Sequence, residues 1–76
     1  MTTTQEDVPE LIASLYRDSL GDSALDIESD FFESGGDSLA AFQITAGLHD
    51  ALGIEVSVAL VFAYPSPADL AAILTT

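Results

Sequence analysis

Apolar residues recur along this chain with the spacing of helices, interrupted once by a long polar loop. Between Asp7 and Leu20 they fall at Val8, Leu11, Ile12, Leu15, Tyr16 and Leu20, the rhythm of one buried helix face. Asp7-Val8-Pro9-Glu10 reads as a capping box with proline in the first turn, where its missing N–H costs little. Gly21 follows as a stop. A second helical pattern runs from Ser38 to Leu52 and closes at Gly53. With Ser38 at zero, Ala41, Ile44, Leu48 and Leu52 fall near roughly 300°, 240°, 280° and 320° on the helical wheel. They form one stripe that must face a core. Ser38, Thr45 and His49 lie well away from its centre. Phe42, at about 40°, and Leu39, at about 100°, point away from it altogether.

The last third is less uniform. Ile54-Glu55-Val56-Ser57-Val58 alternates and is β-branched, so in isolation it reads as a strand. A lone strand among helices has nothing to pair with. Ser66-Pro67-Ala68-Asp69 is cleaner: an N-cap, proline at the first helical position and an acid at the third. It predicts a final helix to about Leu74, with Leu70, Ile73 and Leu74 inward.

Residues 21–37 form a long loop. Its five acids, Asp22, Asp26, Glu28, Asp30 and Glu33, can be laid on the twelve-residue calcium loop at positions 1, 5, 7, 9 and 12. The match fails because position 3 is Ala24 and position 6, which needs glycine, is Ile27. No metal site is therefore expected. Leu25, Ile27, Phe31 and Phe32 are expected to pin the loop onto the helices. An ordered loop of this length in so small a domain is usually functional.

Seventy-six residues make a single domain, 1–76, and an apolar content of 49% is ample for a core. The absence of cysteine excludes disulfides, thiolate zinc sites and a cysteine nucleophile. Thirteen acids stand against Arg17 alone, a net charge of −12. Nucleic acid and anionic membrane both demand Lys and Arg, so neither is an expected partner. The acids keep a small domain soluble, or they steer a basic partner surface towards it. No signal peptide or spanning stretch is visible in the sequence, so a cytoplasmic monomer is expected.

The chemistry gathers in Asp30-Phe31-Phe32-Glu33-Ser34-Gly35-Gly36-Asp37-Ser38-Leu39. Two glycines supply a backbone that can turn with φ > 0 and presents no Cβ to anything approaching. Asp37 or Ser38 can serve as N-cap of the helix that follows. Either way a serine hydroxyl stands at a helix N-terminus, where the dipole favours a phosphodiester. Ser38 as a self-contained nucleophile would need a base, and His49 is the only histidine. Eleven residues on, His49 lies about 16 Å along the same helix and cannot reach it. Catalysis by the chain itself is not expected.

That run resembles the attachment motif of peptidyl carrier proteins, the thiolation units of nonribosomal peptide synthetases within the acyl-carrier family. The resemblance extends in weaker form over nearly the whole chain. It implies an all-α, right-handed four-helix bundle with a long loop between helices one and two. It also implies a short third helix at about 57–63 in place of a strand. Ser38 matches the serine that bears 4'-phosphopantetheine, derived from coenzyme A, with Gly36, Asp37 and Leu39 completing the motif. The implied partners are a phosphopantetheinyl transferase, an adenylating or acyl-loading enzyme, and downstream condensing or tailoring enzymes. The paired glycines favour the peptidyl branch over polyketide or fatty-acid acyl carriers, the alternative within the family. Outside it, the alternative is a small acidic adaptor without cofactor. Peptidyl carriers often have His where Asp37 stands and Arg where Gln43 stands, and both differences bear on partner choice. Leu39 and Phe42, exposed beside Ser38, are expected to form a partner face, unless the loop folds over and buries Phe42. The chain's limits, just outside the first and last helices, fit a free-standing carrier, although an excised domain would look the same.

Overall fold

The computed structural model describes residues 8–75. Four helices follow in chain order: α1 (Val8–Leu20), α2 (Ser38–Leu52), α3 (Val58–Ala63) and α4 (Pro67–Leu74). No strand occurs among the described residues. The helix α1 packs against α2 and α4, and α2 packs against α3. No helix of the described residues is long and apolar enough to cross a membrane.

The predicted stops act where expected. Gly21 takes φ +68° and its N–H closes on Arg17 O at 2.9 Å, ending α1. Gly53 does the same for α2, with φ +69° and 2.8 Å to His49 O. The Asp7 part of the first capping box lies outside the described residues. Val8, Ile12, Ala13 and Tyr16 of α1 are buried against Ala40, Ala41, Ile44 and Leu48 of α2, with Val61, Leu70 and Ala71 closing the core. Each large apolar side chain removed from water here stabilises the fold by about 1.5–3 kcal/mol.

The alternating stretch before α3 forms no strand: residues 53–57 are irregular, and Ser57 caps the short third helix that the resemblance implies. Other expectations need correction. Thr45, about 60° from the centre of the apolar stripe on the wheel, is buried nonetheless. Its Oγ1 donates to Phe42 O at 3.0 Å, which makes burial of the hydroxyl tolerable. Ile73, expected inward, is 38% exposed. The buried stripe of α4 runs through Pro67, Leu70 and Ala71 with Leu74 beside it, and Ile73 falls about 110° from its centre.

The long loop is built by its own acids. Asp22 Oδ1 accepts from Ala24 N (3.0 Å), Asp26 Oδ1 from Glu28 N (2.9 Å) and Asp30 Oδ2 from Glu33 N (2.9 Å). These are the local turns that aspartate favours. Arg17 Nη1 donates to Leu25 O at 2.8 Å while Nη2 pairs with Glu10, so the chain's one basic side chain ties the loop to α1. Ala68 N donates to Ile27 O (2.8 Å), joining the loop to the start of α4. Leu25 and Phe31 are buried as expected and Ile27 is half-buried. Phe32 pins the loop from the surface: it is 51% exposed and stacks on Phe62 of α3 with centroids 5.7 Å apart.

Candidate functional site

The loop's end and the start of α2 bring Gly36, Asp37, Ser38 and Leu39 together at one exposed corner. Asp37, in extended backbone (φ −141°, ψ −172°), is the N-cap: its Oδ1 accepts from Ala40 N at 3.0 Å. Its carbonyl accepts from Ala41 N at 2.9 Å, the first helical bond. Of the two candidate caps, the aspartate therefore takes the role and the serine is left out of it. Ser38 is exposed, and no hydrogen bond among the described residues engages its hydroxyl. The free Oγ sits in the first turn of α2, where unpaired backbone N–H groups give a positive end to the helix dipole.

The two glycines do different things. Gly35 takes φ +90°, a conformation that disfavours any side chain. Gly36 does not have positive φ, contrary to the paired-turn expectation. Nor does its missing Cβ serve an approaching ligand. A Cβ there would stand 2.5 Å from the Phe31 ring, so the residue is small because the chain's own core is behind it. That contact lay outside sequence reasoning, since spacing alone does not say which aromatic backs which glycine.

On the helix flank beyond Ser38, Leu39 is 65% exposed and Phe42 64%. The loop does not fold over Phe42. Phe42 borders a shallow groove of about 470 Å³, shared with Thr45, Ala46, His49, Glu55, Val56 and Ser57. Ser38 is not part of its lining. His49 is exposed, its Nδ1 3.3 Å from Ile54 O, and does not meet Ser38. The acids of the loop make no metal-holding cluster among the described residues. In the core, burial and then the carboxylates of Asp30 and Asp69 push the Tyr16 phenol well above its usual range. Its hydroxyl is buried with no hydrogen-bond partner among the described residues, and it serves as core.

The family model described as "Phosphopantetheine attachment site" matches residues 10–74. The probable non-canonical nonribosomal peptide synthetase CymA of Salinispora arenicola (strain CNS-205) is 42% identical over 78 aligned positions, covering 96% of this chain and 1% of that protein. The chain thus corresponds to a small part of the curated relatives it matches. Among solved structures, a nonribosomal PCP domain superposes with a TM-score of 0.79 at 32% identity, over 96% of this chain and 91% of the other. A chain in the complex of the phosphopantetheine transferase Sfp with coenzyme A and a peptidyl carrier protein gives 0.83 at 28% identity, over 99% and 94%.

Proposed function

The chain belongs to the phosphopantetheine attachment family, and on that premise we propose that Ser38 is the residue carrying the 4'-phosphopantetheine arm. One observation carries the assignment. Ser38 is an exposed serine in the first turn of α2 whose hydroxyl is left free because Asp37 takes the capping bond. Its surroundings fit the group: the helix N-terminus favours the phosphodiester's charge, and no side chain roofs the hydroxyl.

The chain's own contribution is to present. Ser38 Oγ forms its bond to the phosphorus that bears the pantetheine of coenzyme A. The pyrophosphate link breaks, adenosine 3',5'-bisphosphate departs, and the hydroxyl proton passes to the transferase. The attached arm supplies a terminal thiol for holding an aminoacyl, peptidyl or acyl group as a thioester, so a chain without cysteine still carries sulfur chemistry. Gly36 and Asp37 set the entry of α2 beneath the serine. Leu39 and Phe42 offer apolar contact beside it for the transferase, the loading enzyme and the enzymes downstream. A surface of net charge −12, whose one arginine is spent on Glu10 and Leu25, would steer partners that present basic faces. The likeness to a carrier held by a phosphopantetheine transferase supports this set of partners, as does the likeness to a nonribosomal peptide synthetase. On this reading the chain is a non-catalytic cytoplasmic carrier.

Incubation with coenzyme A and a broad-specificity phosphopantetheinyl transferase tests it. The intact mass is expected to rise by one phosphopantetheine. Ser38→Ala is expected to abolish the rise while the helical circular-dichroism signal stays. A modified Ser38→Ala protein would sink the assignment.

A further inference from the structure

Phe31 is completely buried, and its backbone is fixed at both ends. Its N–H donates to Pro65 O, in the link between α3 and α4, at 2.6 Å, and its carbonyl accepts from Gly36 N at 2.8 Å. Its ring meets Tyr16 edge-on at a centroid distance of 5.7 Å, and Phe32 and Phe62 pack at 5.5 and 6.1 Å. A ring held on these sides has little freedom to move. The ring edge occupies the space a Gly36 side chain would take, with Cε2 and Cζ 2.5 Å from an added Cβ. Two residues further on is Ser38. We propose that Phe31 and Gly36 form a positioning pair: the buried ring is the seat on which the turn into α2 rests, and it sets where the Ser38 hydroxyl is presented to a transferase. This rests on the reading that Ser38 is the attachment site.

The neighbouring glycine sharpens the point. At Gly35 a substitution is strained by φ +90° although nothing lies within 4 Å of an added Cβ. At Gly36 the φ is not positive, and the three atoms nearest an added Cβ all belong to the Phe31 ring. Gly36→Ala therefore probes that contact. The added methyl must push the turn off the ring, and the ring cannot retreat far.

The pair is tested by a double-mutant cycle on the whole chain: wild type, Gly36→Ala, Phe31→Leu and the double variant. Each is given coenzyme A and a phosphopantetheinyl transferase, and kcat and KM for the carrier are measured separately alongside thermal unfolding. Misplacing a reacting group by about 1 Å costs on the order of a hundredfold in rate. Gly36→Ala is expected to lose kcat on that scale, with KM little changed. Phe31→Leu, which removes the seat, is also expected to be slow. In the double variant the smaller side chain makes room for the methyl, and most of the lost kcat returns. A folded Gly36→Ala protein with wild-type kcat overturns the pair. So does a folded double variant no faster than the slower single one. If Gly36→Ala does not fold, Phe31→Leu and the double variant decide, and equal kcat in wild type and Phe31→Leu overturns it. A wild-type chain never modified at Ser38 overturns instead the attachment reading beneath it.

Discussion

The starts of α2 and α4 use the same local chemistry to opposite ends. At α4, Ser66 is the cap itself: its Oγ accepts from Asp69 N at 3.2 Å, and the hydroxyl is committed to the backbone. Ser57 is committed in the same way at α3, accepting from Ala59 N at 2.9 Å. At α2 the cap is one residue earlier, on Asp37, and the serine that follows stands in the first turn with a free hydroxyl. A carboxylate satisfies the same orphan N–H as a hydroxyl would. The difference teaches how a chain with several helix-capping serines sets one apart for chemistry. It delegates the structural task to a neighbour.

The contrast can be broken by removing each cap. Asp37→Ala and Ser66→Ala should each lower stability by about 1 kcal/mol, the usual cost of a lost N-cap. Chemical denaturation would show this as similar falls in midpoint. Ser66→Ala should leave phosphopantetheine attachment at its wild-type rate, whereas Asp37→Ala should slow it, because the turn beneath Ser38 frays. Equal attachment rates in the two variants would remove the functional half of the contrast.

A smaller effect is expected one turn further along α2. Phe42 is 64% exposed, so Phe42→Ala should cost less than about 1 kcal/mol, as surface changes do. Transfer to partner enzymes should nevertheless weaken, since exposed aromatic side chains often dominate such contacts. A stability loss of about 3 kcal/mol or more would mark it as core and end its role as a partner face. Smallest of all should be the stability change for Ser38→Ala, within about 0.5 kcal/mol, because its hydroxyl holds nothing in place.

Much of this arrangement was legible in the residues. The bounds of α1, α2 and α4 follow from punctuation: Gly21 and Gly53 as stops, and Ser66-Pro67 as a start. The buried face of α2 follows from a 3.6-residue period. The short helix α3 is implied by the family resemblance and not by the pattern itself, because six residues carry too little periodicity to outweigh the β-branched alternation before them. Ile73 reads as inward on hydrophobicity, whereas its direction on the helix leaves it 38% exposed. Phe32 pins the loop as its hydrophobicity suggests, but on Phe62 of α3 and with half of its own surface in solvent. The acids of the loop read as solubilising charge or as a failed calcium loop, yet Asp22, Asp26 and Asp30 each tie a backbone N–H. Such bonds leave no periodic trace. At the site, Ser38 and its motif neighbours were visible, whereas the choice of Asp37 as cap and the seating of Gly36 on Phe31 needed three dimensions.

Peptide-level mass spectrometry of the chain after reaction with coenzyme A and a transferase tests the central claim most directly. Every serine is then read in one experiment, free or committed. Phosphopantetheine is expected on the peptide carrying Ser38 and on no other. Its appearance on the peptides carrying Ser57 or Ser66, or its absence from Ser38 in a fully folded chain, would contradict the account.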